Sequence, residues 1–149
     1  MAIDIANRQR TLMILWFILL MSLGLLFVLS LSVAPEISGH PGNQSNSVFI
    51  VVLTALGIFL VIISFVVKRR FLAQSVEKQD VRLVPKALII AFAMCEASAL
   101  LGLLEHFVIG NREYYFLFLL AAAGFLLHFP RREHLIAASP KIPIGGASS

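Results

Sequence analysis

The chain has 149 residues, one domain's worth, of which 59% are apolar and only 13% charged. Soluble domains run at about 45–50% apolar and about 25% charged, so composition excludes an ordinary water-soluble fold. A net charge of +4 could suit nucleic acid, but the basic residues flank apolar runs, where topology signals belong. No nucleic-acid partner is expected.

The apolar residues gather into four runs, at about 12–33, 47–67, 87–109 and 114–130. A hydrocarbon core of roughly 30 Å needs about 20 helical residues. Continuous apolarity favours helices over barrel strands, which alternate. The expected fold is an all-α polytopic membrane domain of four transmembrane helices, arranged as two hairpins in contact with the lipid bilayer.

Arg8 and Arg10 precede the first run, and its apolar length exceeds the roughly 7–15 residues of a signal-peptide core, so it reads as a retained span. Trp16 lies where an aromatic belt belongs. The connection "APEISGHPGNQSN" follows; its Asn43 opens a glycosylation-acceptor triplet that has meaning only in a secretory setting. After the second run, "KRRFLAQSVEKQDVRLVPK" fills residues 68–86 with six basic residues, either as a short helix on anionic headgroups or as a solvated linker. Pro85 suits the start of the third helix. The third and fourth runs are joined by "GNRE", with Tyr114 and Tyr115 as belt residues. Arg131, Arg132 and Lys141 follow the fourth run, and residues 137–149, rich in Pro, Gly and Ser, read as a flexible tail. Lys and Arg therefore crowd the termini and the 68–86 connection, while the other two connections hold Arg112 alone. Both termini and residues 68–86 are expected in the cytoplasm, in a bacterial inner (plasma) membrane.

At 100° per residue, Ala87, Ala91, Cys95, Ser98 and Gly102 form a stripe of small side chains on the third helix. Ala121, Gly124 and His128 do the same on the fourth, and Thr54, Gly57 and Ser64 on the second. Such stripes let helices approach closely where lipid is as apolar as leucine. Glu96 lies off its stripe, among Ile89, Phe92, Leu100, Leu103 and Phe107. A polar group in hydrocarbon without a partner costs several kcal/mol, so Glu96 needs one in this chain, another copy or another protein. His128 matches it in depth and is the internal candidate, although it lies on the small stripe of its own helix. Glu105 falls about 180° around from Glu96, near the outer interface with His106 beside it, and reads as an interface anchor paired with Arg112.

The single cysteine, Cys95, excludes an internal disulfide and any multi-cysteine metal site. No phosphate loop, CxxC, zinc spacing or histidine pair for haem is present. Ser98, Ser64 and Thr54 have no base that the sequence places beside them. No enzyme activity, metal or cofactor is expected.

The stretch "FAMCEASALLGLL", residues 92–104, resembles the carboxylate-bearing helix of the proteolipid (c) subunit of rotary ATP synthases. In that family a glutamate is followed by alanine and then by an apolar-Gly-apolar sequence. The resemblance implies a proton-carrying Glu96 on an outward face. It covers about a dozen residues; the family's glycine-repeated partner helix and its Arg-Gln/Asn-Pro loop have no counterpart here. The whole chain also resembles small uncharacterised four-span bacterial membrane proteins whose fourth helix ends in "FPRRE"-like text, a likeness that implies architecture and no activity.

Three readings follow. The first is an accessory or structural subunit of a larger membrane complex, with Glu96 as an intramembrane hydrogen-bonding or protonatable group. The second is a homo-oligomeric proton- or ion-coupling element with Glu96 as carrier. The third is a small dimeric transporter.

Overall fold

The computed structural model describes residues 2–33, 44–110 and 113–139. The connection carrying Asn43, the proposed anchor partner Arg112 and most of the C-terminal tail lie outside the described residues. The chain is all-α. Helix α1 runs Ala2–Ser32, α2 Gln44–Glu77 and α3 Leu83–Leu104; α3 continues through a π-helical turn, Glu105–Ile109. Helix α4 is Tyr115–Leu127, and a short α5, Arg132–Ala137, follows it.

Three of these helices are long and apolar enough to cross a membrane, so the chain is a multi-pass membrane protein by helix length and hydropathy. The fourth run is shorter than expected. At 13 residues, α4 rises about 20 Å, less than the roughly 30 Å of a hydrocarbon core. It ends at His128 because Pro130 cannot continue the helical hydrogen bonds. The next helix, α5, was not anticipated; it turns Leu135 inward, 1% exposed, against the bundle.

Helix α2 overshoots the apolar run by ten residues. "KRRFLAQSVE" is made largely of good helix formers and contains neither Gly nor Pro, so residues 68–77 prolong α2 and form neither a linker nor a separate helix. The chain then reverses over Lys78–Arg82. Gln79 takes a left-handed φ of 48°, and the Arg82 backbone N–H donates to Asp80 Oδ1 at 2.9 Å. Pro85 enters the first turn of α3, where a missing N–H is not needed.

Packing centres on α3. Its most extensive contacts are with α2 and then α4, while α1 touches α3, α4 and α5 more lightly. Among the described residues, α1 and α2, expected as a hairpin, have little contact with each other. The small stripe of α3 explains this, since Ala87, Ala91, Cys95, Ser98 and Gly102 are all buried and leave room for two neighbours at once. Gly124 of α4 meets this stripe so closely that a Cβ there would stand 2.7 Å from Cys95 Sγ. Ala121 is also buried. A Cβ on Gly102 would lie 3.1 Å from both Leu117 Cβ and the Tyr114 carbonyl oxygen. Beside the stripe, Phe92 and Phe125 stack with centroids 5.3 Å apart and planes 6° from parallel.

The outward faces of α1 and α2 remain apolar and exposed, with Ile18, Met21, Leu25, Val48 and Val51 among them. These faces contact lipid.

The two glycines on either side of this packing give a direct contrast. Gly124→Ala overpacks the α3–α4 contact and is expected to destabilise by about 1–3 kcal/mol. Gly24 has no neighbour within 4 Å of a would-be Cβ, so Gly24→Ala is expected to be neutral or to stabilise by up to about 1 kcal/mol. Unfolding titrations with dodecyl sulfate in mixed micelles measure both.

Candidate functional site: polar side chains between the helices

The polar side chains within the apolar runs form three links, each joining a different pair of helices. The first joins α1 to α3: Ser22 Oγ donates to Glu96 Oε1 at 3.1 Å, and both residues are half-buried. Glu96 points off the small stripe, towards α1. It does not reach His128, so the pair raised as one candidate does not form; His128 instead bonds a neighbouring carbonyl, the other reading open for a histidine near the end of a span. Depth alone suggested that pairing, but the two side chains leave their helices on different faces.

The second link joins α2 to the end of α4, next to Cys95. His128 Nδ1 lies 2.6 Å from the Gly124 carbonyl oxygen. A carbonyl can only accept, so Nδ1 carries the hydrogen, and in the neutral ring Nε2 is an acceptor. Ser64 Oγ lies 3.3 Å from Nε2, 3.8 Å from Cys95 Sγ and 2.6 Å from the Val61 carbonyl oxygen. Its one proton thus serves either Val61 or His128. A hydroxyl beside an imidazole is the pairing of an activated nucleophile, and sequence reasoning did not place Ser64 there. Both side chains are 0% exposed, so no substrate atom reaches them in this packing; the Phe65 ring covers His128 at 4.4 Å.

The third link lies at the other end of α3. Thr54 Oγ1 donates to Glu105 Oε1 at 2.7 Å, tying α2 to α3. Glu105 is 1% exposed, a carboxylate buried among the helices; its expected pairing with Arg112 involves a residue outside the described ones. Its inward position follows from the helix itself: seven residues on from Ser98, Glu105 continues the small stripe of α3, and His106 lies beside it where the π-helical turn begins. His106 Nε2 lies 3.4 Å from the Val33 carbonyl oxygen, and its ring sits 4.1 Å from that of Tyr114. Ser30 Oγ lies 3.3 Å from Tyr114 Oη, which draws α1 into the same cluster. Tyr114 is therefore buried, whereas Tyr115 is exposed as a belt residue would be.

Trp16 also links helices: its Nε1 donates to the Phe125 carbonyl oxygen at 3.0 Å, and its ring meets Phe129 edge-on at 5.2 Å. Two buried polar atoms, Ser98 Oγ and His106 Nδ1, have no hydrogen-bond partner among the described residues. Those residues hold no group of three or more His, Cys, Asp or Glu side chains arranged for a metal ion.

Ser22 and Ser30 had no place in the sequence reasoning. Their only signal is a spacing of eight, which leaves the two about 80° apart on one broad side of the helix. Thr54 and Ser64 were visible as members of the α2 stripe, but not as donors to Glu105 and His128.

An apolar cleft of about 320 Å³ separates α1 from α4 and is lined by Leu20, Leu23, Gly24, Phe27, Phe118, Leu119 and Ala122. It holds none of the polar side chains just described.

Compared with protein-family models, with curated proteins and with solved structures, the chain matches none.

The buried carboxylate gives the sharpest prediction for these links. Thr54→Val keeps the volume but removes a donor from Glu105, and is expected to destabilise by about 1 kcal/mol. Thr54→Ser keeps the hydroxyl and is expected to stay within about 0.5 kcal/mol of the parent. The same dodecyl sulfate titrations measure the difference.

Proposed function

We propose that the chain is an accessory, structural subunit of a larger membrane complex, with both termini and residues 68–86 on the cytoplasmic side and α4 embedded beside the three long helices. The observation that carries this reading is the use made of the polar groups. Glu96, Glu105 and His128 are each engaged inside the chain as a tie between two helices, and Glu105 and His128 are fully buried. Side chains spent on internal ties shape a scaffold, and the exposed apolar faces of α1 and α2 remain for neighbouring membrane helices or lipid. Orientation is supported by Lys68, Arg69 and Arg70, which follow the apolar part of α2, and by Arg131 and Arg132, which follow α4.

A second reading keeps Glu96 as the carrier of a homo-oligomeric ion-coupling element. One observation favours it: Glu96 is only half-buried, and Ser22 is its single hydrogen-bond partner among the described residues.

Native extraction of the C-terminally tagged protein, followed by mass and composition analysis, separates the two. The accessory reading expects unrelated membrane subunits in fixed ratio, retained in Glu96→Gln and lost or loosened in Glu96→Leu. A homo-oligomer alone, unchanged in mass by either substitution, would overturn it and leave the carrier reading in its place.

A further inference from the structure

At the basic end of the bundle, α2 and the segment after α4 enclose a cleft of about 290 Å³. Lys68 and Arg69 line it from α2, Arg131 and His134 line it from the opposite side, and Phe65 and Leu72 give it apolar walls. No carboxylate is among its lining residues. Glu133, whose charge acts on His134, is exposed and lies outside the cleft.

A topology signal requires only that Lys and Arg lie near the membrane surface. It does not require cations from two segments far apart in sequence to converge on one concavity. Convergence is unfavourable when the concavity is empty. Burial first, and then the charges of Lys68 and Arg131, hold the pKa of His134 below its ordinary 6.5, against the opposing pull of Glu133. Lys68 Nζ makes one long bond, 3.4 Å to the Leu127 carbonyl oxygen at the end of α4, and an ammonium has three donors. Arg69 and Arg131 are exposed and carry planar forks suited to two phosphate oxygens each.

We propose that this cleft binds the phosphate of an anionic phospholipid, with Lys68, Arg69 and Arg131 on the phosphate oxygens and Phe65 and Leu127 against the glycerol and upper acyl carbons. A phosphate supplies the missing negative charge, and basic pockets between membrane helices are a recurrent setting for such headgroups. A lipid fits better than a free phosphate because the apolar walls continue into the lipid-facing sides of α2 and α4, where Val66 and Leu126 are exposed. The site stands independently of the accessory-subunit reading.

The test uses the full chain in a neutral detergent, with its thermal unfolding midpoint titrated against dioleoyl phosphatidylglycerol, dioleoyl phosphatidylcholine and inorganic phosphate. Phosphatidylglycerol is expected to raise the midpoint, and phosphatidylcholine and inorganic phosphate are not. The apparent affinity should fall about five- to tenfold in Arg69→Gln and again in Arg131→Gln. It should be unchanged in Arg70→Gln, which removes an equal charge one position outside the cleft. Equal stabilisation by phosphatidylcholine, the full shift from inorganic phosphate alone, or an equal loss in Arg70→Gln would each overturn the proposal. Native mass spectrometry reads binding without reference to stability. One phosphatidylglycerol retained on the parent and none on the Arg69→Gln, Arg131→Gln double variant is expected; retention by the double variant contradicts the site.

Discussion

Hydrocarbon offers no water to a polar side chain, so each such group in a membrane-embedded segment must find its partner within the protein. That constraint organises this chain. Its long helices carry few polar side chains, and most of those identified meet across a helix–helix interface: Ser22 with Glu96, Ser64 with His128, Thr54 with Glu105, and Ser30 with Tyr114. Lipid is as good a solvent for leucine as another leucine is, so apolarity alone does not select which helices pair. Hydrogen bonds and close backbone approach do. In this chain the two coincide, because the links flank the stripe of Ala91, Cys95, Ser98 and Gly102 that brings α2 and α4 against α3.

The arrangement makes α3 the hub and α1 the most lightly packed of the four main helices. Helix α1 is attached through Ser22, Ser30, Trp16 and a few apolar contacts, among them Leu12 and Leu23, each 4% exposed. Interhelical hydrogen bonds in membranes average roughly 0.6 kcal/mol each, so two or three of them bias the position of α1 without making it rigid. Such an element suits a subunit that must fit neighbours. Its apolar cleft with α4 belongs to the same looseness: opposite Gly24 there is no side chain close enough to fill it.

How much of this was legible follows from what each residue reports. The apolar runs specified helices because nothing else buries some 20 consecutive apolar residues. The small stripes specified which side of α3 would be crowded, since that depends only on residue size and a 100° turn. Neighbours were not legible. Glu96 could be placed on a face of α3, but one helix does not say which other helix covers that face. The burial of Glu105 was legible but overridden by its charge: seven residues on from Ser98, it continues the small stripe of α3. The length of α2 was underestimated because helix propensity outlasts hydropathy in "KRRFLAQSVE". Helix α4 was overestimated for the opposite reason: its apolar residues continue to Pro130, where the helix has already ended.

The central claim is that polar pairs, and not apolarity, decide which helices meet. A double-mutant cycle on the α1–α3 link tests it most directly, combining Ser22→Ala with Glu96→Leu in dodecyl sulfate unfolding titrations. The account predicts a coupling of about 0.5–1.5 kcal/mol between the two positions. Effects that add to within about 0.3 kcal/mol would contradict it, since α1 would then be held by something other than its hydrogen bond to Glu96.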